Sequence, residues 1–98
     1  MMNTKDAYKQ KLEAELELAR AKVSEFKAKA RSFSADNRIE SAKHLEELER
    51  GVETAKSKLK ELGEAGEDGW EKIKDGVEHA MNALHKVISD VGEKFKGR

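Results

Sequence analysis

Ninety-eight residues make one small domain, and with 41% of the side chains charged and only 37% apolar the chain suits thin helices packed along stripes, not a thick globular core. Twenty Lys and Arg against twenty Asp and Glu leave no net charge, which argues against a dedicated nucleic-acid binder and its basic face. The absence of cysteine excludes disulfides, a thiolate nucleophile and a cysteine zinc site.

The first twenty residues hold no apolar leader-like run, and no stretch approaches the roughly 18 consecutive apolar residues of a membrane span. A soluble, cytoplasmic protein is the expectation. Ala, Leu, Glu, Lys and Arg supply about half of the chain, a composition of long helices and coiled coils.

In the first third, Tyr8, Leu12, Leu16, Ala19, Val23, Phe26, Ala30 and Phe33 recur in steps of four and three. That spacing puts them on one narrow helical seam. After Phe33 the heptad frame slips, and Leu45, Leu48, Val52, Ala55, Leu59 and Leu62 resume it out of phase. Two readings fit. In one, the chain breaks near SFSAD and Ser34 or Asp36 caps a new helix. In the other, an 11-residue repeat keeps a straight stripe on one helix: Leu12, Val23, Ser34 and Leu45, then Ala19, Ala30, Ser41 and Val52, then Phe26, Asn37, Leu48 and Leu59. Gly and Pro are absent from the region of the slip, which favours one continuous helix over residues 4–62.

Residues 62–73, LGEAGEDGWEKI, interrupt this pattern with three of the seven glycines and the only tryptophan. Gly63 and Gly66 read as left-handed stops for the first helix. Asp68, with Glu71 three residues on, reads as the N-cap and capping-box partner of the next. Trp70, Ile73, Val77, Met81, Leu84 and Ile88, followed by Val91 and Phe95, form the most apolar stripe of the chain, with Val87 broadening it.

The predicted architecture is therefore an all-α, single-domain antiparallel hairpin of unequal arms, over about residues 4–62 and 69–96, lengths of about 88 and 42 Å. Its packing surface is Leu45, Leu48, Val52, Leu59 and Leu62 against Trp70, Ile73, Val77, Met81, Leu84, Ile88 and Phe95. The stripe of Tyr8, Leu12, Leu16, Val23, Phe26 and Phe33 is then left bare, and a homodimer covers it. The alternative is a three-helix bundle with an extra turn near Ser34, which leaves no bare ridge.

Candidate chemistry is sparse. Glu40 with His44 and Asp75 with His79 stand at i and i+4, a spacing that touches a metal but that charge pairing also explains, and neither pair has a third ligand nearby. There is no phosphate loop, no nucleophile elbow, and no serine with a base at a recognisable interval. The expectation is no enzyme, no cofactor and no metal. Residues 20–31, RAKVSEFKAKAR, carry five positive groups and one negative. This basic amphipathic segment suits either a solvated face or an anionic membrane surface.

The pieces KLEA at 11–14, KAKA at 27–30, RIE at 38–40, EEL at 46–48, KLKEL at 58–62 and above all AGED at 65–68, then Trp70 and GVEHA at 76–80, resemble a family of small bacterial coiled-coil proteins associated with stress. The resemblance spans about residues 8–95 and implies helical architecture without an established activity. The chain departs from the family pattern at Gly69, where alanine is usual, and at Met81, where an aromatic often stands. The functional expectation is a non-enzymatic interaction or scaffold protein that self-associates and binds a protein partner. The alternatives are a peripheral protein of membranes or lipid inclusions and, third, a stress protectant.

Overall fold

A computed structural model describes residues 4–96 as three helices, α1 (Thr4–Ala30), α2 (Ala35–Glu64) and α3 (Trp70–Lys96). The chain is all-α, as composition and periodicity indicate. Of the two architectures, it adopts the three-helix bundle. The continuous helix over residues 4–62 is not formed, because the chain turns at residues 31–34.

Side chains that compete for backbone hydrogen bonds make that turn without Gly or Pro. The Ser32 hydroxyl donates to the Lys29 carbonyl at 2.8 Å, closing α1. Ser34 then stands in extended conformation as N-cap of α2, accepting from the Asn37 N–H at 3.4 Å. Arg38 Nε donates to the Phe33 carbonyl at 2.9 Å and ties the turn to the new helix.

The turn sends α2 back along α1, and the second turn returns α3 parallel to α1, giving a rod of 51 × 22 × 17 Å. Its single core takes Leu12, Leu16, Val23, Phe26 and Phe33 from the first stripe, with Tyr8 packed at its edge. The stripe expected to be bare is thus covered by the chain's own α2 and α3. The inequality of arms that implied a dimer is absent, since the helices have 27, 30 and 27 residues. Leu48, Val52, Leu59, Leu62, Trp70, Val77, Met81, Leu84 and Phe95 are buried in the same core, with Leu45, Ile73 and Ile88 half-buried against it.

Aromatic clusters close both ends. Phe95 meets Phe26 and Phe33 edge-on, each at 5.2 Å between centroids. At the other end Tyr8 and Trp70 lie 6.0 Å apart, and the Lys74 ammonium sits 5.1 Å from the Tyr8 ring centroid.

The second turn differs from its expected form. Gly63 belongs to the last turn of α2, which ends at Glu64 with Ala65 as an extended C-cap. No described glycine has a positive φ, so neither Gly63 nor Gly66 is a left-handed stop. Lys5 does part of that work instead, donating to the carbonyls of Gly63 and Ala65 where the helix dipole is negative. Asp68 lies inside the following turn, and α3 begins at Trp70, so Asp68 and Glu71 do not make the expected capping box. The Gly66 carbonyl starts the helix by accepting from the N–H groups of Gly69 and Trp70, at 3.0 and 3.1 Å.

Candidate functional site: the groove between α1 and α2

Because α3 covers one side of the α1–α2 pair, the other side stays open. Three hollows lie end to end along it, of about 550, 300 and 200 Å³. The first and second share Arg20 and Glu53, and the second and third share Lys27, so they form one groove. From Lys9 to Arg31 it runs about 33 Å at 1.5 Å per residue.

Its floor is the outer edge of the core. Leu16 and Leu59 line the first hollow, Val23 and Val52 the second, Ala30, Ser41 and Leu45 the third. Val23 and Ala30 retain 8% exposure there, whereas Leu48, Leu62 and Val77 are 0% exposed. Ser41 is the one buried polar side chain of the core among the described residues, and its hydroxyl is satisfied by the Arg38 carbonyl at 3.1 Å.

The walls are charged in an ordered way. Between its ends the groove meets Glu13, Glu17, Arg20 and Lys27 along α1, acids before bases, with Lys9 and Arg31 at the two ends. Along α2 it meets Arg38 at one end and then Glu49, Glu53, Lys56 and Lys60, again acids before bases over the middle of the groove. The helices run antiparallel, with Lys5 beside residues 63 and 65 and Lys27 paired with Glu49. Over this middle section each wall therefore presents bases across from the other's acids, while the ends are basic on both walls, with Lys9 and Lys60 at one and Arg31 and Arg38 at the other. Both series share the spacing of acid, acid four later, base three later: Glu13, Glu17, Arg20 and Glu49, Glu53, Lys56.

This arrangement was readable in the sequence as a spacing, but nothing in the sequence says which faces remain outside after packing. The position of Lys9 has no signal in the hydrophobic pattern either. Its stem lies over Gly63, where an added Cβ would stand 3.2 Å from Lys9 Cε. Gly51 was likewise hidden; it lets α3 approach so closely that a Cβ there would lie 3.2 Å from Leu84 Cδ1.

The other polar constellations are smaller. The Tyr8 hydroxyl donates to Glu78 Oε1 at 3.0 Å across α1 and α3. Burial, then this hydrogen bond, then the negative charges of Glu78, Glu15 and Asp75 push its pKa upward. His85 Nε2 lies 3.7 Å from Glu15 Oε2 in the same interface. His44 Nε2 is buried 3.9 Å from Glu40 Oε1, with its Nδ1 3.5 Å from the Lys94 ammonium. A lysine beside the ring disfavours a cation there, and no group of three or more His, Asp or Glu among the described residues is placed to hold a metal. Of the basic segment, Lys22 pairs with Glu25 at 3.4 Å and Lys27 with Glu49, which leaves a mixed surface. No helix among the described residues is long and apolar enough to cross a membrane.

Comparison with protein-family models, with curated proteins and with solved structures finds no match. The roles of the residues rest on the geometry of this chain alone.

Proposed function

We propose that the chain is a non-enzymatic helical interaction protein that receives one amphipathic helix of a protein partner in the α1–α2 groove. The observation that carries this reading is the pairing of an apolar floor with walls whose charges are sorted over the middle of the groove, Glu13 and Glu17 before Arg20 and Lys27 on one side and Glu49 and Glu53 before Lys56 and Lys60 on the other. A fourth helix laid in such a trough completes a four-helix section, the packing that helical seams favour. Its apolar stripe covers Leu16, Val23, Val52 and Leu59. One flank carries bases then acids, the other acids then bases, so a helix with unsorted flanks meets like charges.

Photo-crosslinking in the native cell tests this. A crosslinking residue at Ser24 or Ser57, both exposed in the groove, is compared with one at Leu18 or Ile39, exposed outside it at 69% and 65%. Discrete adducts are expected from the groove positions alone, and Glu17→Lys with Glu53→Lys should abolish them. Equal adducts from all four positions, or adducts that survive the charge reversal, overturn the reading.

A further inference from the structure

The turn at residues 31–34 keeps several helix-like features. Ser34 already has the helical φ of −61°, and its ψ of 163° alone takes it out of the helix. The last bonds of α1, from the N–H groups of Ser32 and Phe33 to the carbonyls of Lys29 and Ala30, each reach back three residues, one short of the α pattern. No described residue outside glycine has a positive φ, and residues 31–34 contain neither Gly nor Pro, so nothing in the turn forbids helix.

The 11-residue register adds a second, independent observation. Eleven residues at 100° return to within about 20° of the starting face. If residues 31–34 become helical, the seams of α1 and α2 therefore lie on one side of a single rod. The polar members of that seam, Ser34, Asn37 and Ser41, gather at its middle.

We propose that α1 and α2 fuse across residues 31–34 and that the released α1 packs on α2 and α3 of a second copy, giving a reciprocally exchanged dimer. Every contact α1 makes in the monomer is remade between copies, including Lys27 with Glu49, Tyr8 with Glu78 and Phe26 with Phe95. The two states then differ only at the junction and in the entropy of association, which is why exchange is a low-cost route to a dimer. The two straight helices cross at their midpoints, and the seam there is polar in each. The Ser34 cap and the Arg38 bond to the Phe33 carbonyl hold the closed state. The groove survives exchange, lined by α1 of one copy and α2 of the other, so this proposal stands apart from the function proposed above.

Sedimentation equilibrium from low micromolar to millimolar concentration reads the exchange directly. Ser34→Ala removes the cap and favours helix, and it should tighten dimerisation about tenfold or more, two caps being lost per dimer. Ser34→Gly keeps a tolerated cap and disfavours helix interior, so it should weaken dimerisation. The chain has no cysteine, so Lys27→Cys with Glu49→Cys in one chain and a short bifunctional maleimide reports where α1 lies. Links between copies in the dimer fraction, and within one chain in the monomer fraction, are the expected result. Equal association of wild type and both variants, monomers throughout, or dimers linked only within each chain overturn the proposal.

Discussion

Tyr8 shows how much of this fold is decided at the polar edge of the core. Its ring stacks near Trp70 beneath the Lys74 ammonium, while its hydroxyl reaches Glu78 on α3. Burial and the neighbouring carboxylates favour the neutral phenol, so its pKa lies above the ordinary value of about 10. The native state therefore holds the proton at a pH where the unfolded chain has released it. Stability linked to Tyr8 is fully present below about pH 10 and falls as pH rises above it. Tyr8→Phe keeps the ring contacts and removes this dependence. Urea melts of the two proteins should agree closely at neutral pH and diverge above about pH 10, with wild type falling more steeply. Parallel pH curves would show that burial and the neighbouring carboxylates do not hold the Tyr8 phenol neutral.

At the scale of the element, α3 is the most legible part of the chain. Trp70, Ile73, Val77, Met81, Leu84, Ile88, Val91 and Phe95 repeat without interruption, and the structure buries or half-buries all of them. The junction of α1 and α2 is less legible because its signal is chemical, not periodic. Ser32, Ser34 and Asn37 turn the chain by bonding to its own backbone, while the hydrophobic phase continues as if the helix did. The decision between the two came from tertiary packing, since only the turn lets Leu12, Leu16, Val23 and Phe26 find cover within one chain. Glycines inside the helices divide in the same way. Gly76 faces open space in α3, with nothing within 4 Å of an added Cβ, so Gly76→Ala should stabilise by about 0.5–1 kcal/mol through helix propensity. Gly51 faces Leu84, which is 1% exposed, and Gly51→Val should destabilise by about 1–3 kcal/mol by forcing α2 and α3 apart. Opposite shifts in thermal melts are the expected pair, and a gain at both sites would mean that the α2–α3 contact is loose.

For the whole molecule the question is whether twenty charges of each sign or one thin seam holds the rod together. The exposure of the ion pairs favours the seam: Lys9 with Glu13, Lys22 with Glu25, Lys27 with Glu49 and Arg50 with Glu46 all keep at least 40% of each side chain in water. Pairs so exposed contribute a few tenths of a kcal/mol each and are screened by salt, and with zero net charge there is no global repulsion for salt to relieve. The melting midpoint should therefore move by less than about 5 °C between low salt and 1 M NaCl. Leu48 carries the contrast. It is 0% exposed, and Leu48→Ala should cost about 2–5 kcal/mol and lower the midpoint by about 10 °C or more. A midpoint that collapses in salt, alongside a mild Leu48→Ala, would move the stability of this rod from its seam to its surface. The sorted charges of the groove would then be structural, and a partner helix would lose the pattern it is proposed to read.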